Sequence, residues 1–437
     1  MSADEEQQPA TTMEDLVFVT ISHPDAIKAK HTQRCIRQRV MRDIGRARRT
    51  RQALPSWELA VAVPRALDPA NTAYYPTAPD SRGLQLLQFM TSEAVYRPFR
   101  GVWFAAALTD RSAFTLCLAN AAMFWDQQAH PDGFQYTRSA ECLAYYGDCV
   151  AQVSRRLASP QECRGAGIIN AILGMLCHDL YVSTWERWAI HVAGLQRIVT
   201  LRGGYQGLDL NTRLFILWFD VLGCAVQDLP PRFTAMAADV EEVDYSSPSR
   251  FVRSLVAAST DFTDLAIALR SVCSIAAFVE RNTGQQPTFW RQEDNVMAIK
   301  LFMPATRLLL SLSRPSSGFL SPVQSSKEAA RLALLILLAA LKRDLFLLSA
   351  DEMVPLHDKF ATLVESSPPA GDAVCLKLWL WALITVSLCC RPHPDAICQT
   401  MLQLGILTGR DAIHSIKDII WIEGSLWPTD AIEDIVR

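Results

Sequence analysis

Ten lysine and arginine side chains fall within one short stretch, Lys28–Arg51, which contains a single acidic residue, Asp43. Their ammonium and guanidinium groups can neutralise phosphates, a chemistry that gives affinity for nucleic acid but little choice of sequence. Short basic runs such as residues 46–51, RARRTR, also suit the acidic grooves of import receptors. The ten candidate residues are Lys28, Lys30, Arg34, Arg37, Arg39, Arg42, Arg46, Arg48, Arg49 and Arg51.

The charge of this stretch contrasts with that of the rest of the chain. It contributes about +9 to a formal net charge of -3, so the other residues carry about -12. A basic arm on an acidic body indicates an anionic partner or an import receptor. Three interpretations stay open: a nuclear import signal, a DNA-contacting helix, and a basic face that packs on the acidic body. Pro55 and Pro64 interrupt the heptads that a leucine-zipper basic region needs directly after it.

The arm must itself be held by an element, and its apolar residues predict a helix. Ile36, Val40 and Ile44 recur every four residues, with arginines between them. The composition on either side predicts four segments. These are a disordered tail at 1–17, the basic helical arm at 18–52, a proline-rich linker at 53–83, and a helical domain at 84–437.

Beyond residue 84 the apolar residues recur almost throughout with helical spacing, and no sustained alternation predicts strands. We therefore expect an all-α fold, a multi-helical antiparallel array with short connections. Residues 235–260, acidic and then rich in serine and proline, are predicted to form a loop. The predicted helices span 111–128, 137–158, 161–179, 184–202, 211–227, 261–281, 293–312, 325–348, 351–365, 371–390, 394–407 and 410–421.

Two of these helices carry finer predictions. In 137–158 the apolar pattern is formed by Ala140, Leu143, Gly147, Val150 and Leu157, which indicates a face turned towards the core. The helix at 184–202 should end at the pair Gly203–Gly204, because glycine adopts the left-handed C′ conformation at little cost.

The sequence lacks the common catalytic motifs G-x-S-x-G, H-E-x-x-H, G-x-G-x-x-G and the P-loop. His178 and His191 lie in strong helical patterns, where we expect satisfied interior histidines, although Asp179 could orient the His178 imidazole. Asp220 lies in the apolar run LFILWFDVLGC and needs a partner if it is ionised. We expect a buried ion pair, with Arg197, Arg202 and Arg213 as candidate partners.

The twelve cysteines are scattered, without the clustered spacing of a zinc site or a disulfide framework. We expect reduced thiols in a nuclear or cytosolic protein, with no metal and no cofactor. The apolar runs 332–341 and 378–390 fall short of the roughly 20 residues that a membrane span needs, so we expect core helices and no membrane partner.

Residues 145–204 resemble the regulatory domain of fungal-specific transcription factors. In that family a helix ending in Arg-Leu, a break and an A-I-x-x-L helix precede H-x-x-G-L-x-x-x-[VI]-x-x-R-G-G. Residues 216–233 resemble the next helix, with W-x-D and a terminal P-R-F. Residues 18–49 resemble the basic N-terminal segment of some members. Residues 421–428 resemble the tryptophan-rich segment at the C-terminal end of the family's members. The residues that match the histidine motif are His191, Gly194, Leu195, Val199, Arg202, Gly203 and Gly204.

The resemblance implies an all-α domain, a nuclear location and a role in transcription control. Many such factors carry a six-cysteine zinc cluster that docks in the major groove, but Cys35 is the only cysteine here before residue 117. We therefore expect no zinc cluster. The basic arm is then the candidate contact for DNA, and nuclear import is its favoured role.

The expected partners are DNA through the arm, a nuclear import receptor, the transcription machinery or other regulators, and a small-molecule effector. Control of a secondary-metabolite gene cluster is an analogy with such factors. Two alternatives stay open: a non-enzymatic helical scaffold that does not bind DNA directly, and a helical protein that binds a small molecule.

Overall fold

The computed structural model describes residues 75–92, 107–234, 249–285, 295–315, 320–343, 349–367 and 369–422. The ten basic candidate residues, most of the proline-rich linker and residues 423–437 lie outside the described residues. The predictions made for those segments, including the boundaries of the four segments, therefore stay predictions.

The described residues form fourteen α-helices and contain no strand, which confirms the predicted all-α array. Short 3-10 turns at Tyr136–Arg138 and Thr260–Phe262 join some of them. The helices are α1 (Ser81–Ser92), α2 (Arg111–Ala129), α3 (Ala140–Leu157), α4 (Ala166–Tyr181), α5 (Trp185–Leu201), α6 (Leu210–Gln227), α7 (Arg250–Ala258), α8 (Thr263–Gln285), α9 (Asn295–Ser311), α10 (Pro322–Arg343), α11 (Ser349–Ser366), α12 (Ala373–Cys389), α13 (Pro394–Leu404) and α14 (Gly409–Ile416).

Several helix boundaries follow from local chemistry. The side chains of Asp110, Asp209 and Asp372 accept hydrogen bonds from the first free N–H groups of α2, α6 and α12. At the end of α5, Gly203 and Gly204 have φ angles of 79° and 109°, so the predicted left-handed stop is confirmed.

The loop predicted for 235–260 is partly wrong. Residues 250–258 form helix α7, whose first turn is capped by the Ser249 hydroxyl, the acceptor for the N–H of Val252 at 3.2 Å. Phe251, Val252 and Leu255 are buried on one side of this helix. Burial of that short apolar stripe stabilises a helix that the serine and proline content had concealed.

Helix α6 occupies the centre of the array. It packs on α4 and α5 on one side and on α9 and α11 on the other, so almost every side chain from Leu214 to Val226 is buried. Helix α10 packs between α11 and α12, and residues 332–341 are buried throughout. In the described part of the chain, Thr260–Glu280 is long and apolar enough to cross a membrane, but 61% of that window is buried within the protein.

The predicted inward face of α3 is wrong. The side chains that face the core are Cys142, Tyr146, Cys149 and Val153, whereas Leu143, Val150 and Leu157 are exposed. The helical period in the sequence is real, because both stripes repeat every three or four residues. Neighbouring helices α2 and α4 cover the cysteine-containing stripe, and periodicity alone does not reveal which stripe has neighbours.

Helices α5 and α6 approach closely at one glycine. A Cβ atom added to Gly223 on α6 would lie 2.1 Å from the indole ring of Trp188 on α5, a side chain that is fully buried. The absence of a side chain at this position therefore sets the separation of the two helices.

We expect Gly223→Ala to lower the free energy of unfolding by about 1–3 kcal/mol, because the buried indole has no room to move. Gly194→Ala on α5 is the matched control. A Cβ there meets nothing within 4 Å, so we expect stabilisation by about 0.5–1 kcal/mol from helix propensity. Urea unfolding measures both, and equal effects at the two glycines would contradict the close contact.

Candidate functional site

The carboxylate of Asp179, near the end of α4, is fully buried and forms the centre of a polar network. Its Oδ2 accepts a hydrogen bond from Nδ1 of His191 at 2.6 Å, and its Oδ1 accepts one from Nε of Arg187 at 2.9 Å. The turn at Ser183, with a positive φ of 52°, reverses the chain so that α5 returns alongside α4. This turn places both donors, which lie on α5, against the end of α4.

His178, the residue before Asp179, points to a different set of partners. Its Nδ1 lies 2.6 Å from Oδ1 of Asn120 on α2, and its Nε2 lies 2.9 Å from the Tyr136 hydroxyl. The asparagine oxygen is an acceptor, so Nδ1 carries the proton and Nε2 accepts from Tyr136. The expectation that His178 is a satisfied interior histidine is therefore confirmed, but Asp179 is not the group that orients its imidazole. Asp179 orients the imidazole of His191.

Aromatic rings close this network. Tyr146 of α3 stacks on the His178 ring at a centroid distance of 4.7 Å, and the Arg187 guanidinium lies 4.8 Å from the centre of the Tyr146 ring. Burial and the nearby charge of Arg187 lower the pKa of His178 to about 3. The network thus joins α2, α3, α4 and α5 through groups that already have partners.

The arrangement gives these groups little capacity for proton transfer or nucleophilic attack. His178 stays neutral, and both of its nitrogens are engaged. Burial raises the pKa of the neighbouring Cys142 thiol to about 12 and raises the pKa of Tyr136 as well. A low-pKa nucleophile beside a free base is the usual requirement for covalent catalysis, and this cluster offers neither.

Asp220, in the middle of α6, also has partners other than those predicted. Its Oδ2 accepts hydrogen bonds from the backbone N–H groups of Arg232 at 2.8 Å and Phe233 at 3.0 Å. The expected ion pair with Arg197, Arg202 or Arg213 is therefore wrong. Burial raises the pKa of Asp220, although the backbone donors oppose that shift. The Asp220 carboxylate thus binds the segment that follows α6 to the middle of this helix through two hydrogen bonds.

A second buried carboxylate, Asp228, caps the end of α6 in a left-handed conformation with φ of 53°. It pairs with the Arg331 guanidinium through contacts of 2.8 and 3.0 Å. Arg314 at 3.1 Å and Lys359 at 3.2 Å complete the cluster. Burial alone would raise the pKa of Asp228, but Arg331 and the other two cations lower it to about 2. This carboxylate joins α6 to α10, α11 and the chain after α9.

Sequence reasoning found some of these groups and missed others. It singled out His178, Asp179, His191 and Asp220, but it missed the Asp228 cluster. Asp228 stands shortly before two prolines, and nothing in the neighbouring sequence indicates that its cationic partners lie 86 to 131 residues further along the chain. Within the described ranges, no group of three or more His, Cys, Asp or Glu side chains could hold a metal ion, and all eleven cysteines described there are free.

The described residues form an all-α helical array with internal polar clusters. The family model for the fungal specific transcription factor domain matches residues 84–419, about three quarters of the chain. The chain therefore belongs to this family, and the match supports a transcription-regulator-like role. No curated protein and no solved structure gives a significant match.

These contacts explain the structural role of the residues in the histidine motif at 191–204. His191 binds the buried Asp179, Arg202 ends α5 with Nη2 donating to the carbonyl of Gln206 at 2.9 Å, and the two glycines form the left-handed stop. The motif residues thus hold α4, α5 and the loop before α6 together.

Asp179→Asn should lower the free energy of unfolding by about 3 kcal/mol, because it removes the buried charge that Arg187 and His191 share. The exposed loop residue Asp132 gives a matched control, since Asp132→Asn should change stability by less than about 0.5 kcal/mol. Chemical denaturation measures both variants. A neutral result for Asp179→Asn would contradict a structural role of the carboxylate.

The depressed pKa of His178 makes stability depend on pH. Its pKa is about 3 when folded and 6.5 when exposed, so between these values the unfolded chain binds a proton that the folded protein does not. Stability from this group is thus lost as the pH falls from 6.5 towards 3, by up to about 1.4 kcal/mol per pH unit.

The test is the free energy of unfolding of His178→Gln as a function of pH. The variant is expected to lose this part of the pH dependence even if it is less stable throughout. His414→Gln, at an exposed histidine of α14, is the control for a change of residue type. The same pH slope in His178→Gln and in the unmodified protein would contradict the buried neutral imidazole.

Proposed function

We propose that this protein acts in the nucleus as a non-enzymatic transcription regulator, in which the basic arm brings the protein to the nucleus and the helical body binds partners. The observation that carries the proposal is the division of the chain. The family match begins at residue 84, after the ten basic residues, and the polar groups of the network centred on Asp179 are engaged with one another.

Nuclear import is the favoured role for Lys28–Arg51, and contact with DNA is the second candidate. The run RARRTR at 46–51 has the composition that an import receptor binds. The ten cations of the predicted helix can also contact the phosphates of a duplex, but phosphate contacts supply affinity without sequence choice. A site-specific function at DNA would then need a partner that reads the bases.

The proposed partners of the body are other regulators and the transcription machinery, and a small-molecule effector is a further candidate. We extend the proposal to control of a secondary-metabolite gene cluster, by analogy with factors of this kind. The network centred on Asp179 supports a binding role over a catalytic one, because His178 is neutral and fully hydrogen-bonded.

Neutralising all ten basic residues to Gln should exclude a tagged full-length protein from the nucleus and abolish its chromatin occupancy. The same variant fused to a foreign import signal separates the two candidate roles. Restored occupancy would assign the arm to import alone, whereas a nuclear but unbound protein would assign it to DNA contact. Nuclear entry of the neutralised variant without the signal would contradict the proposed import role.

A binding titration on purified full-length protein tests the DNA contact directly. The logarithm of the affinity for a duplex falls linearly with the logarithm of the salt concentration, and each cation that contacts a phosphate makes this slope steeper by about 0.9. The ten-Gln variant should therefore show weaker binding and a shallower slope. A variant with the arginines of the arm changed to Lys keeps the charge and should keep the slope. Equal slopes in all three proteins would mean that the arm does not touch DNA.

A further inference from the structure

Helix α3 presents an apolar face to solvent. Leu143, Val150 and Leu157 are spaced seven residues apart and are 36%, 36% and 45% exposed. The other exposed residues on this side are small and uncharged, and they are Ala140, Ala144, Gly147, Ala151 and Ser154. A solvated helix face normally carries charged and polar residues, so an uncharged face of this length indicates a contact with another molecule.

The described part of the protein does not use this face. The opposite stripe of α3, which includes Cys142 and Cys149, packs on α2 and α4. A Cβ atom built on Gly147 meets nothing within 4 Å, so the exposed side opens into free space. The small side chains at this position would let another helix approach closely.

The large side chains of this face can pack against those of a second, antiparallel copy of α3. In an antiparallel pair of α3 helices with the two-fold axis at Val150, that residue meets its own copy. Leu143 then lies opposite Leu157 of the second copy. A two-fold contact uses the same patch on both molecules, which the symmetric order of one valine between two leucines satisfies.

The charges beside the face favour the same antiparallel order. Asp148 and Arg155 are exposed, and neither forms an ion pair with the described residues. Reversal of one helix places Asp148 of each copy within about one turn of Arg155 of the other. A parallel pair would instead place like charges together. The remaining charges of α3 are already engaged, since Glu141 pairs with Arg82 and Arg156 pairs with Asp110.

We propose that the exposed face of α3 binds a second copy of this chain, forming an antiparallel two-fold dimer centred on Val150. The helix is about 27 Å long, so the helix pair alone covers less than the roughly 800 Å² per partner of a standard interface. The dimer is therefore expected to dissociate on dilution.

Sedimentation equilibrium of the full-length chain over a range of concentrations tests the proposal. The wild type should show a monomer–dimer equilibrium. Asp148→Arg and Arg155→Asp should each weaken it about tenfold, because each creates two like-charge contacts per dimer. The double variant, with Asp148→Arg and Arg155→Asp together, restores both ion pairs only in the antiparallel order. Its dimer dissociation constant should therefore equal that of the wild type. Mixing the two single variants should likewise regain dimer.

Val150→Glu, at the two-fold axis, should leave the protein monomeric at every concentration tested. The control is Leu402→Glu on α13, an exposed leucine that should leave the equilibrium unchanged. Circular dichroism checks that the variants are folded. A monomeric wild type, a dimer that survives Val150→Glu, or a double variant as weak as the single ones would overturn the proposal. The first outcome would assign the face to a different partner.

Discussion

The central helix α6 imposes the main constraint on this fold, because it is buried from Leu214 to Val226 and yet carries one carboxylate, Asp220, and is capped by another, Asp228. A buried charge is tolerated only when donors or cations satisfy it. Asp220 meets this requirement with the backbone N–H groups of Arg232 and Phe233, and Asp228 meets it with Arg331, Arg314 and Lys359. The segment after α6, helices α10 and α11 and the chain after α9 are therefore held by one carboxylate within α6 and one at its end.

The network at Asp179 performs the corresponding task in the first half of the domain. One buried carboxylate joins α4 to α5 through Arg187 and His191, and the adjacent His178 reaches α2 and the turn at Tyr136. These polar residues, which in the sequence alone would suggest an active site, thus form hydrogen bonds and ion pairs that connect neighbouring helices. In the proposed function such a domain acts through its surfaces and through the basic arm, because these polar groups already have partners.

Much of the fold could be predicted from the sequence because helical period and capping are local properties. The stop at Gly203–Gly204 and the extent of α2 and α6 followed from neighbouring residues. The inward face of α3 could not be predicted, since Leu143 and Cys142 lie on equally regular stripes and only the packing of α2 and α4 distinguishes them. The partner of Asp179 was missed for a related reason. The turn at Ser183, not sequence adjacency, selects His191 over His178.

The measurement that tests the account most directly is transcript output from the protein's own target promoters, divided by the amount of folded protein, in the variant His191→Gln. Arg187 still pairs with Asp179 in this variant, so the protein should fold. If the network holds helices together, output per folded molecule should equal that of the wild type. Loss of output at an unchanged amount of folded protein would show that His191 acts in chemistry or ligand binding, and would contradict the account.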